Sequence, residues 1–239
     1  MRRDFCDPGG APSAQVDFAA LRRKQEELAA RVVLQDRLGP VRLVAGTDLS
    51  AGPYAPTVWA SVVVFAWPGL ELVDSASVVC EDPFPYRTGL LGFREVPPLV
   101  AAFERLSRWP DLAIVDGQGL AHPRRFGLAC HLGLELDLPT IGCAKSRLVG
   151  EPGDPLGDTA GAAVPMLDAG ERIGYVVRGR AGCKPLWVSP GHRVSAELAL
   201  EWVRLLLGPY RLPIPQREAH RLANRARRGE SPATRVNGP

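Results

Sequence analysis

The amino-acid sequence predicts an α/β protein with a mixed central sheet flanked by helices. Three Val-rich segments, at residues 42–49, 57–67 and 70–80, are separated by short turns. Two short apolar segments, at 111–116 and 140–144, are separated by a stretch long enough for a helix. Short connections are typical of antiparallel strands, and helical crossovers are typical of parallel ones. The central sheet is therefore predicted to have five strands, three antiparallel and then two parallel.

Helical spacing of apolar residues and helix-start signals predict the elements that flank this sheet. Pro97 and Pro98 suit the first turn of a helix, where the missing amide hydrogen costs nothing. Ser195 has the side chain of a typical N-cap. Helices are predicted over 15–38, from about 94 to 106, from 123, from 195 and over 216–228.

The remaining segments complete the predicted domain. Residues 173–178 and 185–189 predict an extra hairpin, and the Gly/Pro-rich stretch 151–170 predicts a surface loop. We expect disorder at both ends of the chain, and we see no repeat or linker between them. The predicted organisation is a disordered N-terminus at 1–14, a single domain at 15–228 and a disordered tail at 229–239.

This order of elements, an antiparallel meander followed by parallel strands, is that of the ribonuclease H-like fold. The inference is an analogy between folds, and it fixes no function by itself.

Composition limits the functional classes more than it selects one. The net charge is only +3, and no apolar run is long enough to cross a bilayer. The charged, Pro/Gly-rich N-terminus lacks the apolar region of a secretory signal, so we expect a cytoplasmic protein with no membrane partner. The five cysteines are odd in number and have no CxxC spacing, which disfavours a disulfide framework or a structural zinc site.

Two aspartates, Asp48 and Asp116, end or interrupt apolar strands. A carboxylate in such a setting is costly unless another group compensates its charge. If the two strands are neighbours, the carboxylates could meet and bind Mg²⁺ or Mn²⁺, which prefer oxygen ligands. The alternative is two unrelated capping or turn aspartates.

Glu95 and His220 are further candidates. Glu95 could instead be an ordinary first-turn glutamate near a helix dipole. His220 could be a surface histidine of an amphipathic helix, although its neighbours favour a site that contacts phosphate. Arginines crowd this C-terminal segment, at Arg217, Arg221, Arg225, Arg227 and Arg228. They form either a solvated face or a phosphate-binding surface.

Several longer motifs carry a resemblance to a known family. The segments VAGTDLSA, PYRTGLLGFRE, VSPGHRVS and RLPIPQREAHRLAN, with the long stretch DGQGLAHPRR followed by DLPTIGCAKSRL, closely resemble endonuclease V. The resemblance spans about residues 15–228. It implies a ribonuclease H-like fold and hydrolysis that depends on Mg²⁺, with Mn²⁺ as a substitute. The implied substrate is DNA containing deoxyinosine, cut at the second phosphodiester bond 3′ to the lesion.

The resemblance also assigns roles to individual residues of the expected catalytic set. Asp48 and Asp116 match the carboxylates that hold the metal, and Glu95 matches a third acidic residue that acts on metal or water. His220 matches the histidine near the scissile phosphate. Lys145 matches a basic residue suited to phosphate contact, although a lysine at a strand end is otherwise unremarkable.

The segment PYRTG matches the loop that separates the strands in this family. An aromatic ring at Tyr86 could fill the gap left by a flipped base, and glycines would let the backbone approach that base. Here Arg87 and Thr88 replace residues of the more familiar PYIPG, so the loop is expected to be less rigid and more basic. The expected substrate-binding residues are Tyr86, Gly89, Leu91, Gly117, Gly119, His122 and Arg124.

Two alternatives to the DNA repair reading stay open. An inosine-specific endoribonuclease would use the same metal site to cut RNA rather than DNA. A nucleic-acid binding protein without catalysis is disfavoured because the whole catalytic set is present. We expect a monomer, since no long hydrophobic heptad or exposed apolar strand requires association.

Overall fold

The computed structural model describes residues 16–51, 57–81 and 87–236. The predicted disordered N-terminus, 1–14, lies outside the described residues. In chain order the elements are α1 (Phe18–Ala29), β1 (Leu43–Ala51), β2 (Thr57–Ala66), β3 (Glu71–Glu81), α2 (Leu91–Phe103), β4 (Leu112–Val115), α3 (Leu128–Leu136), β5 (Thr140–Ala144), β6 (Glu151–Pro152), β7 (Ala163–Asp168), β8 (Glu171–Val177), β9 (Leu186–His192), α4 (Ala196–Leu205), α5 (Ile214–Arg227) and β10 (Thr234–Val236). No helix in these ranges has the length and apolar character to cross a membrane.

The strands form one mixed sheet in the order β10-β3-β2-β1-β4-β5-β9-β8-β7-β6. As predicted, β1, β2 and β3 form an antiparallel meander, and β4 pairs parallel with both β1 and β5. The prediction of five strands is wrong, because the described chain contributes ten strands to this sheet. Four of the additional strands extend it beyond β5, and β10 lies on the opposite edge.

The extension corrects the prediction for residues 151–170. The expected hairpin of β8 and β9 is present, but β6 and β7 lie in the segment expected to be a loop. In β7, the buried side chains of Val164 and Met166 alternate with more exposed ones and pack near Ile173 and Val176 of β8. The Gly/Pro-rich composition around β7 conceals this alternation, which is the pattern of a half-buried strand.

Part of the tail that was expected to be disordered forms a strand in the structure. Thr234–Val236 forms β10 and pairs in parallel with β3, over Val78 to Cys80. Three residues are too short a segment to give a strand signal in sequence, so their order depends on the edge of β3 that they cover.

Helix boundaries differ from the predictions where tertiary contacts decide them. The first helix ends at Ala29 rather than near residue 38. Helix α2 begins at Leu91, which places Pro97 and Pro98 inside the helix rather than in its first turn. The helix expected from Pro123 begins instead at Leu128. Ser195 is the N-cap of α4 as predicted, and its hydroxyl accepts a hydrogen bond from the Leu198 amide at 3.1 Å.

Both faces of the sheet are covered, as the short strand β4 makes clear. Ala113 and Val115 pack into the apolar cluster under α2 and α3, whereas Leu112 and Ile114 pack into the cluster under α4. All four side chains are fully buried, which explains why the strand reads as a continuous apolar run.

Helix α5 lies close against β1 at a glycine. A Cβ atom at Gly46 would lie 2.1 Å from the carbonyl carbon of Pro215, near the start of α5. Side chains alternate between the two faces of a strand, so Gly46 shares its face with Asp48, two residues later. The glycine therefore lets α5 approach the strand that carries Asp48.

We predict that Gly46→Ala destabilises the protein by about 1–3 kcal/mol, because the added methyl group overpacks this contact. Urea unfolding followed by circular dichroism measures the change. The matched control is Gly39→Ala, since a Cβ at Gly39 meets no atom within 4 Å. Equal unfolding midpoints for Gly46→Ala and the wild type would contradict the close approach of α5 to β1.

Candidate active site

The two aspartates singled out from the sequence lie side by side. The parallel register of β1 and β4 pairs Thr47 with Val115, so the next residues, Asp48 and Asp116, meet at the same end of the two strands. Asp48 is 3% exposed. Strand β5 continues the parallel pairing and ends just before Lys145.

The Lys145 ammonium group bridges the two carboxylates. Its Nζ atom lies 3.3 Å from Oδ1 of Asp48 and also donates a hydrogen bond to Oδ2 of Asp116. Two anions in a buried setting repel each other, and a cation between them relieves that repulsion. The two carboxylates therefore form a centre that favours positive charge.

Burial and mutual repulsion separate the pKa values of the two carboxyl groups. Burial raises the pKa of Asp116 well above its usual range, and the neighbouring Asp48 raises it further. Burial opposes ionisation of Asp48 as well, but hydrogen bonding with Asp116 and His220 and the charge of Lys145 hold its pKa below the ordinary value. Burial acts against the charged form of Lys145, yet the charges of Asp116 and Asp48 raise its pKa. Asp48 is thus the more readily ionised of the pair.

His220 reaches the same centre from α5. Its Nδ1 atom lies 3.1 Å from Oδ2 of Asp48. Its Nε2 atom lies 3.1 Å from Nδ2 of Asn224, and Oδ1 of Asn224 accepts a hydrogen bond from the Ser50 hydroxyl at 3.1 Å. The same Nδ2 atom lies 3.5 Å from Nδ1 of the ring and donates a hydrogen bond to the backbone carbonyl of His220 at 2.8 Å. Ser50 and Asn224 thereby fix the orientation of the imidazole.

Gln216, one turn before His220 on α5, holds the second aspartate. Its Nε2 donates to Oδ1 of Asp116 at 2.9 Å and to the backbone carbonyl of Cys143 at 2.8 Å. The side chain is fully buried. Since Oδ1 is engaged in this way, Oδ2 of Asp116 is left to face Lys145. Gln216 therefore sets the orientation of a carboxylate at the centre.

The donor set suits a divalent metal ion. Among the residues that the structure describes, Asp48, Asp116 and His220 each offer a ligand atom, and these atoms all lie within 4.8 Å of one another. Two carboxylates and one imidazole are ligands typical of hard or borderline divalent cations. The existing contact with Lys145 shows independently that the two carboxylates attract a cation.

A cavity of about 380 Å³ opens beside this centre. Asp116 and Lys145 belong to its wall, as does Glu95, which is half-buried on α2. The volume is within the range of small-molecule binding sites. Of the residues expected to bind substrate, four line this cavity: Gly89, Leu91, Gly117 and His122.

Three of the expected substrate-binding residues are placed differently. Tyr86 lies outside the described residues. Gly119 is not part of the cavity wall, because it packs against β9: a Cβ atom there would lie 2.1 Å from the carbonyl oxygen of Pro190. Arg124 donates from Nη2 to the carbonyl oxygen of Gly89 at 2.6 Å, so it contacts the chain that forms the cavity wall.

His122 contacts the same carbonyl. Its Nε2 lies 3.1 Å from the oxygen of Gly89, and its Nδ1 accepts a hydrogen bond from the Arg124 amide at 3.2 Å. Burial and the nearby charge of Arg124 lower the pKa of His122 to about 4, so its ring is neutral near pH 7. A neutral ring with its proton on Nε2 satisfies both contacts.

Sequence reasoning missed Gln216, Asn224 and Ser50, and it missed Gln25, which lies in the cavity wall. Each is a polar residue on a helix or strand, and such residues are common on exposed surfaces. The segment RLPIPQREAHRLAN contains both Gln216 and Asn224, and a spacing of four residues from His220 places each near the same helical face. That spacing is the one signal that could have found them.

What this site can do follows from its charges. Acidic groups that attract a cation, with a lysine and a histidine beside them, are typical of nucleases that use a divalent metal. Residues 26–221 match the family model described as Endonuclease V. The chain belongs to the endonuclease V family, and it is therefore a hydrolase that acts on the phosphodiester bonds of DNA.

Relatives of known sequence and structure agree with this assignment. The chain is 49% identical to Endonuclease V of Gloeobacter violaceus over 216 residues, which cover 90% of this chain and 87% of that protein. Its fold is similar to the crystal structure of Endonuclease V from Streptomyces avermitilis, with a TM-score of 0.83, 38% identity and coverage of 90% and 95% of the two chains. It is also similar to Ciona intestinalis Endonuclease V in complex with a 24mer DNA containing an inosine followed by a ribo-adenosine (TM-score 0.77, 26% identity, 88% and 98% coverage).

Proposed function

We propose that this chain is a DNA repair endonuclease that recognises deoxyinosine, the product of adenine deamination. It hydrolyses the second phosphodiester bond 3′ to the lesion and leaves 3′-hydroxyl and 5′-phosphate ends. The observation that carries the proposal is the convergence of Asp48 and Asp116 on one cation-favouring centre beside a cavity. The complex of the Ciona relative with inosine-containing DNA supports the choice of substrate.

The order of the central strands supports a ribonuclease H-like fold. An antiparallel β3-β2-β1 meander is followed by β4 and β5, both parallel to β1. In this arrangement the acidic residues lie at one end of adjacent central strands, which brings them together without a long loop. The additional strands β6 to β10 lie outside this core.

Mg²⁺ is the proposed cofactor, and Mn²⁺ is the proposed substitute. Asp48 and Asp116 would hold the ion, and Glu95 would act on metal or water from α2. A divalent cation bound there supplies Lewis-acid catalysis and lowers the pKa of an attacking water. The oxygen-rich donor set supports this choice of metals.

Lys145 and His220 are proposed to act on the phosphate and the water. The Lys145 side chain is 33% exposed, so its ammonium group can reach a phosphate oxygen while it remains near the carboxylates. His220 is more exposed, at 46%, and the contacts with Asp48 and Asn224 hold its ring at the edge of the site. A histidine in this position can orient or deprotonate a water.

The cavity is proposed to receive the flipped base. Gly89, Leu91 and Gly117 contribute to its wall, and glycines permit close approach of the backbone. Hypoxanthine lacks the exocyclic amine of adenine. Guanine carries its exocyclic amine at a different ring position, so a pocket that leaves no acceptor at either position discriminates against adenine and guanine.

We predict that Tyr86→Ala weakens the binding of inosine-containing duplex more than it lowers the rate of cleavage at saturating DNA. The proposed reason is that the ring stacks into the gap left by the flipped base, an interaction typically worth about 1–3 kcal/mol. Fluorescence anisotropy measures affinity, and single-turnover kinetics measures chemistry. Trp109→Ala is the control, because Trp109 is 48% exposed and precedes β4 at the end opposite to Asp116. Unchanged affinity would contradict the proposed role of Tyr86.

An inosine-specific endoribonuclease is the second candidate. It is favoured by the ribo-adenosine that follows the inosine in the DNA bound by the Ciona relative. Recognition of RNA would require contacts to the 2′-hydroxyl group. Two expectations from the sequence, a monomer and a cytoplasmic location, stay predictions.

The experiment that separates these candidates compares four matched strands with Mg²⁺. The strands are DNA and RNA, each with one inosine or with adenine at the same position. The repair proposal expects inosine-dependent nicking of DNA at least as fast as of RNA. Cleavage confined to RNA would assign the endoribonuclease activity, and equal cleavage of the adenine controls would overturn both proposals.

A further inference from the structure

One backbone carbonyl at the cavity wall is held by three side chains. The oxygen of Gly89 accepts hydrogen bonds from Nε2 of Gln25 at 3.0 Å and from Nη2 of Arg124 at 2.6 Å, and it contacts Nε2 of His122 at 3.1 Å. A carbonyl oxygen has two lone pairs, so three donors saturate it. We call Gln25, His122 and Arg124 the Gly89 clamp.

Gln25 is the member of the clamp that comes from a distant part of the chain. It lies on α1, 64 residues before Gly89, and is 2% exposed. Its Oε1 accepts a hydrogen bond from Nε of Arg124 at 2.6 Å, which closes a ring of hydrogen bonds with Gly89. Because a guanidinium group can only donate, Oε1 must face Arg124, and the NH₂ group must face Gly89.

A second contact joins α1 to the loop that contains Gly89. The guanidinium carbon of Arg87 lies 4.3 Å from the ring centroid of Phe18, in the geometry of a cation–π interaction. Arg87 is one of the two residues by which this sequence departs from PYIPG. Its basic side chain is thus engaged with α1.

The backbone conformation at Gly89 explains why these contacts matter for the cavity wall. Gly89 has φ +79°, in the left-handed region, and a peptide there can rotate more freely than elsewhere. The cavity wall includes Gly89 and continues with Leu91 at the start of α2. Leu90, the N-cap residue of that helix, makes no side-chain hydrogen bond to cap it. The clamp is therefore a fixed point for the backbone that forms this part of the wall.

We infer that Gln25 is a positioning residue for base recognition: through the Gly89 clamp, and with the help of the Phe18–Arg87 contact, α1 pre-shapes the cavity that receives the flipped base. The inference rests on the proposed function. A wall that is already ordered costs less conformational entropy when the base enters. Gln25 therefore acts on substrate affinity and base selectivity, and it does not take part in cleavage.

Replacement of Gln25 by Glu tests the hydrogen bond to Gly89 and keeps the contact between α1 and Arg124. The carboxylate of Gln25→Glu keeps the size of the side chain and can still accept from Arg124. It replaces the donor to Gly89 with an oxygen that repels the carbonyl. We expect KM for inosine-containing DNA to rise about tenfold, with kcat within about twofold of the wild type, since an unmade buried hydrogen bond typically costs a factor of this size.

Three comparisons make the test decisive. Lys24→Ala, at an exposed position one residue away, should keep the KM of the wild type. Phe18→Leu leaves Arg87 of the loop unchanged but removes the aromatic ring that Arg87 contacts, and it should raise KM about threefold. Thermal unfolding of each variant shows whether a change in KM merely follows lost stability. If Gln25→Glu does not fold, the result for Phe18→Leu still decides whether α1 acts on the loop.

The outcomes distinguish the inference from the proposed function. If the wild type nicks inosine-containing DNA and either variant raises KM without an equal fall in kcat, the role of α1 is supported. If the wild type nicks normally and both variants keep its KM, the role of α1 is overturned. If the wild type does not discriminate inosine from adenine, the proposed function itself fails.

Discussion

Replacement of Asp116 by Asn is expected to lower the rate of nicking by more than about 100-fold while binding to inosine-containing DNA survives. Asn has nearly the same shape, and its amide oxygen can still accept the hydrogen bond from Gln216. The substitution removes the negative charge of Asp116, which together with that of Asp48 attracts Lys145 and would hold a divalent ion. Loss even of an outer partner of a metal ligand typically costs 10–100-fold, so loss of a ligand costs more.

Single-turnover nicking and fluorescence anisotropy on the same duplex measure the two effects of Asp116→Asn separately. The matched control is Asp111→Asn at the opposite end of β4, where the carboxylate accepts hydrogen bonds from the amides of Arg42 and Leu43. The control should nick at nearly the wild-type rate. An Asp116→Asn enzyme that nicks as fast as the wild type would remove Asp116 from the catalytic centre.

Replacement of Gln216 by Leu is expected to have the next largest effect on catalysis. The buried amide is the group that orients Asp116, and Leu would also leave the carbonyl of Cys143 without this donor. We expect kcat to fall about 10–100-fold with a small change in KM, as for other residues that orient metal ligands. We also expect a higher concentration of Mg²⁺ for half-maximal rate.

Titration calorimetry with Mn²⁺ in the absence of DNA gives a readout of Gln216→Leu that does not depend on activity. Weaker binding of Mn²⁺ is expected for this variant. Gln35→Leu is the control, because Gln35 is exposed and lies before β1. If Gln216→Leu binds Mn²⁺ as the wild type does and keeps its kcat, Gln216 does not position Asp116 for metal binding.

The sequence predicted the meeting of the two aspartates only conditionally. The apolar runs placed Asp48 and Asp116 on strands, and the prediction that they meet depended on those strands being neighbours. The structure fulfils that condition, because β1 and β4 are parallel neighbours and bring both aspartates to the same end of the sheet. Lys145 entered the predicted site only through a motif, and His220 was a candidate only because of its Arg-rich neighbours. The positions of these two side chains depend on where β5 ends and how α5 crosses β1. Neither of these follows from local pattern.

The parts that the sequence did not reveal depend on tertiary contacts. Gln25 and Gly89 are 64 residues apart, and nothing in either local segment indicates that they meet. Gly119 was expected at the base because glycines permit close approach, and the close approach is instead to Pro190 of β9. Strand β7 depends on its pairing with β8, and β6 depends on its pairing with β7; the Gly/Pro-rich composition of the segment obscures both.

The most direct test of the proposed repair activity maps the cut on an end-labelled DNA duplex with one deoxyinosine, using the wild-type enzyme and Mg²⁺. We predict a single nick, with a 5′ fragment that ends in a 3′-hydroxyl one nucleotide beyond the inosine and a 3′ fragment that carries a 5′-phosphate. The duplex with adenine at that position should remain intact. Release of the free base, or cleavage of the adenine duplex at the same rate, would contradict a deoxyinosine-directed endonuclease.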